Sequence, residues 1–400
     1  MPPVRDSPGR LFLRFLRFGC LAWGGPVAQL DMVRQELVER ERWVTPEHFR
    51  RLLGIYQALP GPEAHEMCVH LGMVARGRWG GVLAGLGFML PGFGLMLAAA
   101  WWYARTDLAA AGALAVFLGL QPVVVALVAR AAWRLGRHSL ADPRLGAVAL
   151  AVAGLQVLQV PFWLSLPLAG AAWVAWGERR RYAGSLLGAG ALAAAIFASP
   201  VLREGRPWWP EREVRFAGAG GAAAGTAATP AAAFAAGLRT GCLTFGGAYT
   251  AIPFLQEDAV DRGGWLRRAQ FLDGVAIAGV LPAPLIIFAT FVGYLAGGWA
   301  GALAITAGVF LPAFAFSLLF YRRIEAALAH GRLRPFLDGV TAGVVGVIAI
   351  TAAELAWVAL TEPKAVGLAA AAAVILWRAS GRAVIPLTVI GGGLAGALLY

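Results

Sequence analysis

The 400 residues are 59% hydrophobic and 14% charged, with a mean hydropathy of +0.67; a soluble domain carries about 25% charged residues, so a soluble globular chain is excluded. The formal charge is 34 − 22 = +12, but the arginines sit in short gaps between apolar runs, where they hold loops in the cytoplasm. No basic domain with interleaved aromatics argues for a nucleic-acid partner. Cys20, Cys68 and Cys242 form no CxxC, so no disulfide framework, metal or cofactor is expected.

Taking about 20 apolar residues as one crossing, the candidates in chain order begin with 11–28. That run keeps Arg14 and Arg17 within it and lacks a cleavage site, so it reads as a span and not a leader. Residues 31–53 alternate charge at helical spacing, five acids against five bases, and read as an interfacial amphipathic scaffold more than an anion funnel. The runs 52–75, 79–103, 112–133, 145–160, 162–176 and 183–201 follow. A polar stretch, REGRPWWPEREVR, and a Gly/Ala-rich segment then form a linker with tryptophans suited to the membrane interface. The remaining runs are 234–255, 274–296, 299–320, 336–360, 365–377 and 384–400, and the short ones among all of these fit half-spans or buried helices. Small-xxx-small pairs such as Gly81/Gly85 and Gly392/Gly396 suit close helix packing in lipid.

The chain repeats itself. RFGCLAWGGP (17–26) matches RTGCLTFGGA (239–248) at an offset of 222. The same offset carries Trp43 onto Trp265, Phe49 onto Phe271 and the Pro60-Gly61-Pro62 run onto Pro282-Ala283-Pro284, and slightly shorter offsets align LPGF (90–93) with LPAF (311–314). Coincident Gly and Pro over such a length indicate a duplication. Seven candidate spans precede the second copy, which turns it over in the membrane; the loop at Arg76/Arg78 is basic while its partner at Gly297/Gly298 is uncharged, as opposite sides require. The expected fold is an all-α polytopic membrane protein of two inverted repeats with broken helices at their interface and about thirteen transmembrane segments. The first repeat is 1–182, a linking span and interfacial linker 183–233, and the second repeat 234–400, with the N-terminus cytoplasmic.

Inverted repeats place substrate at their interface, on discontinuous helices. Four breaks mark that interface here: Gly24-Gly25-Pro26, Pro60-Gly61-Pro62, Gly246-Gly247-Ala248 and Pro282-Ala283-Pro284, with Gln57 just ahead of the second. Two prolines in three residues end one helix and favour the start of another. A helix beginning inside the membrane aims free N–H groups and a partial positive charge at an anion, and glycines let it approach the backbone. The alternative is a proline kink that only shapes the bundle; four breaks paired across a duplication favour a site. Arg17 and Arg239 occupy equivalent positions in the two copies. They either attract the anion or snorkel from a helix end. After the first proline break, Glu63, Glu66 and His70 share one helix face, and Glu66 and His70 are spaced to hydrogen-bond. The second copy has the apolar LIIFATF there, so proton coupling is expected in the first half alone, the alternative for Glu63 being a helix-dipole role. His65 and His70 are too far apart around the helix for an HExxH zinc site.

GCLAWGGPVAQL, QALPGPEAHEMCVHLG and LPGF in the first half, with TFGGAYTAIPFL, GWLRRAQFLDG and VLPAPLIIFATFVGY in the second, resemble the chromate ion transporter family, long-chain two-domain type. Trp23 departs from the phenylalanine more usual before GGP, while Phe245 keeps it. The resemblance implies chromate export driven by a proton or ion gradient, with chromate resistance as the outcome and sulfate as the isosteric competitor. The expected partners are the oxyanion, membrane lipid and a second copy of the chain, in the inner membrane. An intramembrane enzyme using Glu63, His65, Glu66 and His70, and a non-transporting scaffold, are the readings from other classes.

Overall fold

The computed structural model describes residues 6–23, 25–57, 59–106, 113–140, 142–177, 227–245, 248–320, 333–379, 381 and 383–400. All regular structure among them is helical: α1 (Pro8–Cys20), α2 (Pro26–Val33, continued by a π-helical turn Arg34–Arg40), α3 (Pro46–Gln57), α4 (Glu63–Arg105), α5 (Leu114–Ser139), α6 (Pro143–Val157) and α7 (Phe162–Gly177). The second half holds α8 (Pro230–Leu243), α9 (Ala251–Gln256, continued by a π-helical turn Glu257–Arg262), α10 (Arg268–Val280), α11 (Phe288–Ala315, after a 3-10 turn Leu285–Ile287), α12 (Leu333–Ala359), α13 (Pro363–Arg378) and α14 (Val384–Leu399). The run 183–201 and the linker lie outside the described residues.

Among the described residues four stretches are long and apolar enough to cross a membrane: Glu63–Arg105, Leu114–Arg137, Leu285–Phe320 and Pro335–Ala359. The first and third are hairpins. In α4 the backbone leaves helical geometry at Arg76 (φ −146°, ψ 33°) and Gly77 (φ 61°, ψ −158°), and the arms 63–75 and 78–105 fold back on each other. A Cβ on Gly72 would stand 2.4 Å from the Gly80 carbonyl oxygen and 2.5 Å from the Ala84 Cβ, positions a continuous helix would hold about 12 and 18 Å apart. In α11 the same reversal falls at Gly297 (φ −155°, ψ 26°) and Gly298 (φ 62°, ψ −149°), with Gly293 packed on Gly301 and Ile305. The positive φ at Gly77 and Gly298 is why glycine stands at both tips. The first arm of α4 rises only about 20 Å, less than the ~30 Å of a hydrocarbon core.

Each hairpin is clamped by the helix that opens its half, through the same contacts. Gly19 of α1 sits against the Phe88 carbonyl oxygen and Gly241 of α8 against that of Val309, a Cβ in either place reaching 2.4 Å. Gly87 lies on Phe12 and Gly308 on Phe234, again backbone to backbone. Small residues let these pairs close where larger side chains would hold them apart. The two hairpins also meet: Gly81 packs on Leu318, Gly85 on Phe314, and the His65 ring lies 4.9 Å from Phe310 and 4.8 Å from Phe314, edge to face. Advancing four residues along one long arm moves four residues back along the other.

The chain divides into two compact units, Met1–Leu127 with Val214–Tyr321 and Ala359–Tyr400, and Val128–Glu213 with Arg322–Val358. The first contains both hairpins and all four breaks. In the second, α12 packs on α6 and α7 through Gly346 on Ala149, Gly339 on Ala169 and Gly170 on Phe336.

Candidate functional site

The breaks form because the residues there cannot continue a helix. After α1 the chain turns at Leu21–Ala22 and reaches Gly25, whose φ of 82° suits glycine; Pro26 opens α2 with no side chain capping it. Pro60, Gly61 and Pro62 are buried between α3 and α4. Gly61 has φ 147°. Pro62 is the N-cap of α4 and supplies no side-chain cap, while the His65 and Glu66 amides turn back to the Pro62 carbonyl at 2.8 and 3.1 Å. In the second half Pro282, Ala283 and Pro284 are buried between α10 and the 3-10 turn. Gly24, Gly246 and Gly247 lie outside the described residues.

Each half's proline break bonds to a residue flanking the other half's first break. The Gly61 N–H donates to the Thr244 carbonyl, next to Gly246-Gly247, at 2.8 Å. Gln29 Nε2 donates to the carbonyls of Ala22, at 2.9 Å, and Ala283, at 3.2 Å. Gly92 lies flat on Ala283, where a Cβ would come within 2.4 Å of the alanine methyl. Two buried contacts thus join the halves near their breaks, forming a junction of Gly61 with Thr244 and of Gln29 with Ala283. Gln57 ends α3 with an exposed side chain and is not among these contacts.

Beside the junction lies the acidic face of α4. Glu63 is buried, and Glu66 is wholly so. The Glu66 carboxylate fills the space over Gly61: a Cβ there would stand 2.8 Å from its Oε1. Neither carboxylate oxygen has a hydrogen-bond partner among the described residues. Glu66 makes no hydrogen bond to His70, whose Nδ1 meets the Tyr56 hydroxyl of α3 at 2.9 Å; helical spacing brings two side chains to one face without fixing that they bond. The corresponding stretch of the second half, Leu285 to Phe291, is apolar but for Thr290 and fully buried.

Arg17 and Arg239 each face an acid on the π-helical turn beyond the break. Arg17 lies 3.4 Å from Glu36, and Arg239 lies 3.0 Å from Asp258. Applying the offset of 222 to Glu36 gives Asp258, so the pairing is itself repeated, and the repeat register was the sequence signal for it. Their side chains are 62% and 42% exposed, which sets them apart from the buried junction. A polar cluster absent from the sequence expectations is Asp273 of α10, which accepts from the Tyr103 hydroxyl at 2.7 Å and from Gln121 Nε2 at 3.0 Å. A carboxylate at the edge of an apolar run was the signal for it. Among the described residues no group of three or more His, Cys, Asp and Glu side chains is gathered as a metal site would need.

The family model for the chromate transporter matches residues 9–176 and 231–397, one region in each half. The chain is 49% identical over 406 residues to a chromate transport protein of Pseudomonas aeruginosa, covering 100% of this chain and 94% of the relative. It is 29% identical to a chromate transport protein of Cupriavidus metallidurans, over 98% and 93% of the two chains, and 28% identical to a probable chromate transport protein of Synechococcus elongatus, over 96% and 94%. No solved structure matches. With both halves matched by one family model and relatives aligned end to end, this multi-pass helical membrane protein belongs to the chromate transporter family.

Proposed function

We propose that the chain is a secondary transporter that carries chromate across the inner membrane, outward from the cytoplasm, with sulfate as a competing isostere. The observation that carries this reading is the buried junction where Gly61 bonds to Thr244 and Gln29 bridges Ala22 to Ala283. Discontinuous helices ending at one point surround an anion with backbone N–H groups and the positive ends of helix dipoles. A tetrahedral dianion that has shed water needs many donors and no bulky neighbours; Gly25 leaves room for it, and the space over Gly61 opens to it when the Glu66 side chain moves aside. Gly24, Pro26, Pro60, Pro62, Gly246, Gly247, Pro282 and Pro284 would shape the same junction.

The opposed register of the two long arms, Gly81 on Leu318 and Gly85 on Phe314, supports a two-fold axis lying across the helices, as inverted repeats have. On that reading the halves 1–182 and 234–400 flank a linker at 183–233, and thirteen segments run from a cytoplasmic N-terminus to an external C-terminus. Such an arrangement exposes the junction to each side in turn.

Glu66 supplies the coupling. Its carboxylate lies over Gly61, where the oxyanion would approach. A monoanion and a dianion about 4 Å apart repel by roughly 8 kcal/mol at an effective dielectric near 20, so the two do not share the site. The oxyanion enters as the carboxyl takes up a proton and leaves as it is lost, so one proton travels with each dianion; flux responds to the proton gradient, and the one net negative charge of the pair is driven outward by an inside-negative membrane potential. Glu63 and the Tyr56–His70 pair lie along the same helix face and would serve as the proton's route.

Purified protein in proteoliposomes with an imposed pH gradient tests this. Radiolabelled chromate should move uphill with the gradient, sulfate should compete, and Glu66→Gln should carry chromate downhill only, without response to pH. Absence of chromate flux, or a Glu66→Gln variant still driven by the gradient, would refute the assignment.

A further inference from the structure

A second binding region lies ahead of the junction. A cavity of about 590 Å³ opens between α1, the π-helical turn after α2, and α14. Its polar walls are Arg17, Gln35, Glu36 and Arg40, and Trp23 and Leu387 are among its apolar ones. Trp23 stands two residues from Gly25, so the cavity adjoins the first break.

The cations on this wall differ between the two halves. In the second half, Arg239 is held by Asp258 at 3.0 Å, and Arg262 by Glu257 at 2.9 Å. The offset of 222 maps these four onto Arg17, Glu36, Arg40 and Gln35. Where the second half has Glu257, the first has a neutral glutamine. Arg40 therefore has no carboxylate within ion-pair distance among the described residues, and the Glu36 that faces Arg17 at 3.4 Å is shared with Arg14 at the same distance. Other acids nearby are engaged elsewhere, Asp31 and Glu39 with Arg34 and Glu41 with Arg14. The five-against-five balance of residues 31–53 conceals this: the acids are used, Arg40 and Arg42 have no ion pair among the described residues, and of the two Arg40 lines the cavity.

We propose that Arg17 and Arg40 form a capture site for a hydrated oxyanion, which supplies the negative charge that Gln35 lacks, before the ion passes Trp23 to the junction. This rests on the reading of the chain as an oxyanion carrier. The size agrees: 590 Å³ corresponds to roughly twenty waters at about 30 Å³ each, enough for a small tetrahedral ion with its first hydration shell. The ion is held here by charge with its water retained, and it loses that water only at the backbone donors beyond. In the second half the built-in carboxylates close the equivalent cations.

The test is initial-rate chromate flux into proteoliposomes over a range of chromate and of salt. Gln35→Glu, which restores the missing carboxylate, and Arg40→Gln should each raise KM about tenfold with kcat held within about twofold, as loss of electrostatic capture does. Both should flatten the salt dependence of kcat/KM, and Arg40→Lys should restore it. An unchanged KM in Gln35→Glu and Arg40→Gln, with flux intact, overturns the proposal. So does a KM shift that follows the anionic phospholipid content of the vesicles in place of ionic strength, because the cavity would then belong to a lipid phosphate. Wild-type protein that moves no chromate fails the carrier reading itself, and so is told apart from either result.

Discussion

The two halves share a scaffold and differ in their polar groups. The hairpin reversals at Arg76–Gly77 and Gly297–Gly298, and the seating of Gly19 and Gly241 on carbonyls of the long arms, recur with closely similar backbone angles and the same approach distance. The side chains placed on that frame do not. Glu63, Glu66 and His70 are answered by an apolar run, Gln35 by Glu257, and Gly61 by Ala283. Contacts between backbones are shared by everything packed around them, so drift at those glycines is costly; a side chain facing a cavity changes without disturbing its neighbours. The difference teaches that a duplicated frame has kept its shape while its chemistry became one-sided.

The largest effect that would sharpen this comparison lies at the proline breaks. Gly61→Ala meets a φ of 147° and the Glu66 carboxylate 2.8 Å from the new methyl, and strain of this kind costs about 1–3 kcal/mol. Displacing Glu66 should lower chromate flux by about tenfold or more, each 1.4 kcal/mol being a factor of ten. The mirror change, Ala283→Gly, removes a methyl that packs on Gly92 and meets no titratable side chain in the contacts described above, and it should leave flux within about twofold. Equal losses at both positions, measured in proteoliposomes, would break the claim that the first half alone carries the chemistry. Next in size is a pair of changes expected to match. Gly19→Ala and Gly241→Ala each drive a Cβ to 2.4 Å from a carbonyl oxygen, and each should destabilise by about 1–3 kcal/mol through overpacking. Unfolding midpoints in detergent that fall by different amounts would show that the scaffold is not equally shared.

The scaffold was the part most legible in the sequence, because Gly and Pro write backbone constraints directly into the letters. Pro60, Gly61, Pro62 and Pro282, Ala283, Pro284 marked chain breaks, and the structure has them. The turn expected at Arg76/Arg78 and Gly297/Gly298 is where both hairpins reverse. The junction's wiring was not legible: nothing local in Gly61 names Thr244, and nothing in Gln29 names Ala283, since long-range contacts come from packing whole hairpins. The pairing of Glu66 with His70 was inferred from helical spacing alone, and Tyr56, from a neighbouring helix, holds His70 instead. Asp273 stood in plain view within GWLRRAQFLDG, yet its partners Tyr103 and Gln121 come from the other half and only the fold brings them together.

Asp273 also gives the smallest and most pointed test, since it is the buried carboxylate that the second half does hold beside its π-helical pair. It accepts from a hydroxyl and from an amide. In Asp273→Asn the asparagine oxygen still accepts from Gln121, and its NH₂ faces Tyr103, whose hydroxyl rotates to accept. Two charge-assisted bonds become neutral ones, so the cost should be about 1–2 kcal/mol, read as a small fall in the unfolding midpoint. If Asp273 only ties Tyr103 and Gln121 together, chromate flux in the variant keeps the wild-type response to an imposed pH gradient. A variant that stays folded but loses that response would place a proton-carrying group in each half. The asymmetry argued from Glu66 would then give way to a relay in which Glu66 and Asp273 take turns.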